Sequence, residues 1–408
     1  MTNRLKKLES FKDLKKVGFI TPSSNTALEP LTTQMTHPIS DRVSTHFSRV
    51  PVKTLTLDTR DVDQFQTQRM LDAGTLLKDG GLDAILWGGT SGSWTGNGLG
   101  ADLTLCEEIG RVTGVPASTA SLAQIEVLKH YGIRHFGLAV PYAEAPTRNI
   151  IDAYGAEGLT AVKSARLDET ENTRIAHVPF ERIKQLLREA DSPQAESIVV
   201  VGNNLPATIV VDEMEAELGK PIFDSIGVTL WKALQMTGIR VPLHGWGKLL
   251  RDNPVLTALE QTMATLLQAT GASRTTVRID IPAHNCHMDT VCAEAMAPGI
   301  VPLKLNSSMN QRSLPTVKWL EANRDLLIQS DCANHAVKPP KALTAVYGVK
   351  AQMLAPLMSG DELIGFVSLH YVPSTRVWSE GEIATLRSAA AQVSRILEEH
   401  GWAGQVRQ

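Results

Sequence analysis

The chain has 408 residues, 43% of them apolar and 20% charged, too many for one ordinary core and typical in composition of a folded protein of two or three domains. A formal net charge of -3, with no long basic run, gives no footprint for nucleic acid or an anionic membrane. Its apolar runs are strand-sized, well short of the about 20 residues that span a bilayer, and the amino terminus has charge without an apolar h-region, so a cytoplasmic protein is expected.

Strand-like apolar runs alternate with helical patterns from Lys15 to about Ala269. Lys16–Thr21, Asp83–Trp87, His135–Val140 and Ser197–Val201 read as strands, each ending in turn-forming or hydroxyl residues. Thr67–Leu77 and Ser121–Lys129 place apolar residues at helical spacing. Continuous apolar strands separated by helices predict parallel sheets buried on both faces, with ligands beyond the carboxyl ends of the strands. The small and polar run Ala269–Ser273 reads as a linker. Beyond it come a strand at Thr275–Asp280, a hairpin with its turn at Ser359–Glu362, and a final helix from about Ile383 to Glu399. Ser379 and Glu382 have the spacing of a capping box for that helix.

Polar loops follow the strands. Thr21-Pro22-Ser23-Ser24-Asn25-Thr26-Ala27-Leu28-Glu29 opens the chain's first crossover, and Gly89-Thr90-Ser91-Gly92-Ser93 and Gly202-Asn203-Asn204-Leu205-Pro206 occupy corresponding places in two α/β halves. Hydroxyls, amides and glycine-exposed backbone suit an anionic oxygen. Such clusters are also ordinary βα turns, and Asn25 equally suits a helix cap. These loops resemble the maleate cis-trans isomerase and arylmalonate decarboxylase branch of the aspartate/glutamate racemase superfamily, over roughly residues 15 to 240. The later ordering of strands and helices, with Ser313–Leu320 as an internal helix, is similar to a GAF domain. The expected fold is thus α/β, with two pseudo-symmetric parallel-sheet, flavodoxin-like lobes and a C-terminal α+β GAF domain. Residues 14–120 with 224–270 would form the first lobe, 121–223 the second, and 275–402 the GAF domain.

The resemblance implies a carboxylate held by Ser23, Asn25, Thr90, Ser93, Asn203 and Asn204, with Gly89 and Gly202 allowing close backbone approach. It also places a hydrogen-bonding phenol at Tyr142, where a core tyrosine is the alternative. The resemblance implies that in the racemases two cysteines face each other across the substrate, while arylmalonate decarboxylases keep only the second; here those positions are Gly89 and Gly202. Glycine neither attacks nor carries a proton, so thiol-based racemisation and isomerisation are not supported. What is expected is an enzyme acting on a small carboxylate or cyclic amide or imide, by hydrolysis or decarboxylation, with no cofactor and no metal. The alternative is a carboxylate sensor without turnover. Ser91, Tyr142 and Glu29 are the candidate catalytic groups, although Glu29 in a first helical turn also suits the helix dipole. Cys106 reads as a buried helix residue, and Asp224 as a base or a helix cap. The group His284, Asn285, Cys286, His287 and Cys292 does not have zinc-site spacing. A second small ligand at the GAF domain and assembly into a homo-oligomer are also expected.

Overall fold

The structure, a computed structural model, describes residues 14–95, 98–281, 286–303 and 310–399. They form two compact units that divide between Asp252 and Asn253, ahead of the linker expected at Ala269–Ser273. Helix Pro254–Thr270 therefore belongs with the second unit.

The first unit is a repeated α/β lobe. Lobe 1 carries β1 (Lys15–Pro22), α1 (Leu28–Thr36), β2 (Val43–Val50), α2 (Thr67–Lys78), β3 (Ala84–Trp87), the one-turn α3 (Ser91–Trp94), α4 (Gly98–Thr113) and β4 (Ala117–Thr119). Lobe 2 follows with α5 (Ala120–His130), β5 (His135–Val140), α6 (Glu144–Ala156), β6 (Thr160–Arg166), α7 (Phe180–Ala190), β7 (Ser197–Val200), α8 (Thr208–Leu218) and β8 (Ile222–Asp224). Each sheet is parallel and four-stranded, in the order β2-β1-β3-β4 and β6-β5-β7-β8. The central strands β3 and β7 are buried along their whole length, because helices cover both faces. Helix α7 shows the cause in its sequence: Ile183, Leu186, Leu187 and Ala190 recur at helical spacing and are its buried residues.

Helix α9 (Ser225–Met236) follows β8 yet returns to lobe 1, where Ile226, Leu230 and Ala233 share a core with Val17, Phe19 and Leu86. Conversely α5, which continues directly from β4 of lobe 1, packs on lobe 2, its Gln124 amide donating to the carbonyls of Val200 and Phe223 at 2.9 Å each. The lobes are thereby stitched together, and a single apolar cluster runs from Ile20 and Trp87 to Phe136 and Ile198.

In the second unit a five-stranded antiparallel sheet has the order β10-β9-β13-β12-β11. Its elements are α10 (Pro254–Thr270), β9 (Arg274–Ile279), β10 (Ala293–Met296), α11 (Pro315–Asn323), β11 (Leu327–Gln329), α12 (Lys341–Ala345), β12 (Ala351–Ser359), β13 (Glu362–Tyr371) and α13 (Glu380–Glu399). Helices α10 and α13 cover one sheet face, sharing a core with Val277, Met353, Val367 and Leu369. Leu354, Leu363 and Phe366 point the other way, toward Val317 and Leu320 of α11. The expected hairpin is β12–β13. The capping box forms, with Ser379 N–H donating to Glu382 Oε2 at 2.8 Å and Glu382 N–H to Ser379 Oγ at 3.3 Å. Among the described residues no helix is long and apolar enough to cross a membrane.

Candidate active site between the lobes

The loops after β1, β3, β5 and β7 meet where the carboxyl ends of the two sheets face each other, as expected for doubly wound sheets. They enclose a cavity of about 30 Å³ lined by Asn25, Trp87, Gly88, Gly89, Thr90, Ser91, Trp94, Tyr142, Asn172, Gly202, Asn203 and Asn204, with Leu55, Phe65 and Ile175 as apolar wall. Tyr142 is the only ionisable residue among the described residues that line it.

Hydrogen-bond donors gather on the β3 side. The main-chain N–H groups of Gly89, Thr90 and Ser91 make no hydrogen bond to the described residues. Ser91 Oγ accepts from Trp87 Nε1 at 3.1 Å, which leaves the serine proton free to donate. Across the lobes, the hydroxyls of Thr90 and Tyr142 lie 2.9 Å apart. One proton serves that bond, so the other remains for a ligand. Burial pushes the Tyr142 phenol up to about 12, offset in part by the Thr90 hydroxyl, and the Trp94 ring packs against its ring at 5.4 Å, tilted by 36°. The phenol therefore stays protonated at neutral pH, a donor rather than a base.

Both positions where the family resemblance expects a thiol are closed to a side chain. A Cβ on Gly89 would lie 2.4 and 2.5 Å from indole carbons of Trp87 and 2.9 Å from its nitrogen. The indole, 0% exposed and tethered to Ser91, fills the volume a thiol would need. Gly202 has φ +149°, which favours glycine. A Cβ there would meet Pro141 at 2.9 Å and stand 3.5 Å from the Tyr142 hydroxyl. The phenol thus occupies the neighbourhood of the second expected thiol.

The asparagines mainly join the lobes. Asn25 Oδ1 accepts from the N–H groups of Ala27 and Leu28 at 3.0 Å each, capping α1, while its Nδ2 donates to the Asn203 carbonyl at 2.9 Å. Asn204 Oδ1 accepts from Thr26 and Ala27 N–H at 3.0 and 3.2 Å, and its Nδ2 donates to the Asn172 carbonyl at 2.6 Å. Asn172 in turn donates to Ser24 Oγ at 2.9 Å. Gly202 N–H is turned away to Ser225 Oγ at 2.9 Å. Asn203 differs. Its Nδ2 donates to Thr229 Oγ1 at 3.1 Å, and that hydroxyl spends its own proton on the Ser225 carbonyl at 2.6 Å, so the amide cannot be flipped. Asn203 Oδ1 is left buried with no partner among the described residues, an acceptor at the cavity wall.

Three expected site residues do not line the cavity. Ser23 is exposed and exchanges hydrogen bonds with Val52. Ser93, 1% exposed, donates to the Thr90 carbonyl at 2.7 Å and so shapes the loop from beneath. Glu29 forms a surface ion pair with Arg49 at 2.6 Å, and Arg49 also clasps the carbonyls of Ser23 and Asn25. Its carboxylate is committed to fixing the loop. Asp224 is a helix cap, accepting from Ile226 and Gly227 N–H at 3.1 Å each. Cys106 stays outside the cavity, its thiol pushed up to about 12 chiefly by burial. The residues missed from sequence are Asn172, the first residue of a one-turn helix (Asn172–Ile175) that carries no motif, and Asp102 of α4. Asp102 lies against Gly92 and burial raises its carboxyl to about 7, against the lowering effect of the Thr119 and Ser121 hydroxyls. His284 and Asn285 lie outside the described residues; no metal-binding cluster occurs among those described.

Comparison with known proteins agrees with this architecture. Residues 254–397 match the GAF domain. A maleate isomerase from Nocardia farcinica is 23% identical over 258 residues, covering 60% of this chain and 99% of that protein. An arylmalonate decarboxylase from Bordetella bronchiseptica is 24% identical over 184 residues, covering 44% and 76%. The crystal structure of the maleate isomerase Iso from Pseudomonas putida S16 superimposes with a TM-score of 0.55 at 20% identity, over 58% of this chain and 98% of that one, a likeness of fold. With residues 37–250 matching the family described as arylmalonate decarboxylase, the chain belongs to that family.

Proposed function

We propose that the first unit decarboxylates a small activated dicarboxylic acid without a thiol. The observation that carries this reading is a cavity wall with hydrogen-bond donors and apolar side chains but, among the described residues, no base. Hydrolysis requires a group to take a proton from water, and the described wall supplies none. Decarboxylation requires only that negative charge be accepted and a proton then delivered. One carboxylate would rest against Leu55, Phe65 and Ile175, surroundings that favour neutral carbon dioxide over the charged group. As the carbon–carbon bond breaks, its electron pair passes into the remaining carboxyl as an enediolate. Ser91 Oγ–H and the free N–H groups of Gly89 and Thr90 would hold that oxyanion. The Tyr142 hydroxyl would then protonate the carbon, and the phenolate would regain its proton from water. Asn203 Oδ1 suits a ligand O–H or N–H, so a half-protonated diacid or a cyclic amide complements the wall better than a dianion.

A second reading, a carboxylate sensor without turnover, draws on the same lack of any wall group that titrates near neutrality. The test is incubation of the full chain with 2-substituted malonic acids, hydantoins and cyclic imides, read by mass spectrometry and thermal shift. Loss of carbon dioxide, with one solvent deuterium gained in heavy water, is the expected result. Gain of water would replace decarboxylation by hydrolysis, and stabilisation without any product would favour the sensor. Tyr142→Phe should slow the reaction by about 10²–10⁴-fold, the range of a general acid, and Ser91→Ala should weaken both turnover and binding.

A further inference from the structure

The second unit has its own cavity, of about 190 Å³, on the sheet face away from α10 and α13. Strand alternation builds its floor. In β9, Arg274, Thr276 and Arg278 face this side while Val277 and Ile279 join the α10–α13 core. Across the register, Arg274 pairs with His370, Thr276 with Ser368 and Arg278 with Phe366. The walls are apolar: Leu343, Val346, Leu354 and Phe366.

Arg278 is the unusual feature. It is 7% exposed and lines the cavity, yet among the described residues the one acceptor it reaches is the Met288 carbonyl, at a long 3.4 Å. No carboxylate lies within ion-pair distance of it among the described residues. The nearby acids are committed elsewhere: Glu294 to Arg274 at 3.4 Å and to Leu303 N–H at 2.8 Å, Asp289 to Gln311 N–H at 2.8 Å. A guanidinium that is buried without an anion carries a large desolvation cost. Beside it, His370 has Nδ1 3.4 Å from the Arg274 guanidinium. Since arginine only donates, Nδ1 accepts and the ring proton sits on Nε2. Burial and the two neighbouring guanidiniums keep the imidazole neutral.

We infer that this cavity binds a small organic monocarboxylate with an apolar body, its carboxylate paired with Arg278 and its ring or short alkyl chain among Leu343, Val346, Leu354 and Phe366. The planar guanidinium offers two parallel N–H donors to a carboxylate, and among the described residues of the site it is the one cation without an acid partner, which matches a monoanion better than a phosphate dianion. The inference concerns the second unit alone and does not depend on the reaction assigned to the first.

Calorimetric titration of the full chain with benzoate, phenylacetate and hexanoate, beside their primary amides and phenyl phosphate, tests it. At least one acid should bind saturably, with its amide at least about tenfold weaker, a difference of about 1.4 kcal/mol. Arg278→Gln should remove acid binding, and Val346→Glu, at a 70% exposed rim position, should weaken the acid more than the amide without touching the core. Ser91→Ala, in the other unit, should leave it unchanged. Equal affinity for acid and amide, tighter binding of phenyl phosphate, acid binding that survives Arg278→Gln but not Ser91→Ala, or no binding by any acid at millimolar concentration would each overturn the inference.

Discussion

If the Trp87 indole excludes a side chain from position 89, Gly89→Cys must destabilise the first unit and a smaller residue at 87 must relieve it. The new Cβ would stand 2.4 Å from an indole carbon, where ordinary contact begins at 3.4 Å, so the ring has to withdraw by about 1 Å within a fully buried site. Overpacking of this kind costs about 1–3 kcal/mol. For a unit of this size each kcal/mol lowers the melting temperature by about 2–4 °C, so calorimetry should show a fall of about 2–12 °C. Trp87→Leu alone leaves a cavity and also destabilises, by about 2–4 kcal/mol. Trp87→Leu with Gly89→Cys should cost less than the two separate losses combined, by about 1 kcal/mol or more, because the thiol enters space the indole has left. Additive losses, or a Gly89→Cys protein that melts with the wild type, would refute the claim that the ring occupies the thiol's volume.

The Asp102 carboxyl gives a pH prediction. Its folded-state value of about 7 lies above the ordinary 3.8, so its contribution is fully present below about pH 4 and is lost as pH rises to about 7, by at most about 4 kcal/mol. Asp102→Asn should flatten that decline in a melting series from pH 4 to 8 and be the more stable protein at pH 8. Asn204→Ala should lower stability by about 1–3 kcal/mol in urea titrations, since it leaves Thr26 N–H without its partner across the lobes and removes the donor to the Asn172 carbonyl within lobe 2, while Ala27 N–H keeps Asn25. Cys106→Ser should change neither turnover nor carboxylate affinity, because the thiol is outside the cavity and its burial keeps it protonated.

The sheets were legible because their strands are continuous apolar runs of strand length: His135–Val140 coincides with β5, and Lys16–Thr21 lies inside β1. The loops were legible for a different reason, since glycine and hydroxyl residues at strand ends keep a local signature. Which groups of those loops face the ligand was not, because that depends on partners far away in sequence. Asn25 and Asn203 are 178 residues apart, and only the folded chain shows that the Asn25 oxygen caps a helix while its amide spans the lobes. Glu29 was misplaced for the same reason: nothing local announces that Arg49, on β2, takes its carboxylate. Trp87 reads as simple packing in sequence, and its consequence for position 89 is a matter of rotamer and tether. Arg278 was hidden in a strand whose alternation was visible but whose faces could not be assigned without knowing that α10 packs against one of them.

The size of the cavity bears on how the first unit works. About 30 Å³ admits a water or two, not a dicarboxylate, so a substrate must part the lobes or displace side chains as it enters. The bonds that close the cleft differ in what their loss would mean. Parting Asn204 from Thr26 and Ala27 would leave the oxygen of the buried Asn204 without either donor, a cost that a carboxylate, which only accepts, would not offset. The bond between Thr90 and Tyr142 is another matter: a carboxylate placed between the two hydroxyls accepts from both and leaves neither unpaired. On the proposed reading, entry between these hydroxyls would therefore require the least compensation, with the N–H groups of Gly89 and Thr90 available on the same wall. In the proposed decarboxylation the same displacement would move the phenolic proton from Thr90 to the acid, from which it would pass to carbon once the carbon–carbon bond has broken.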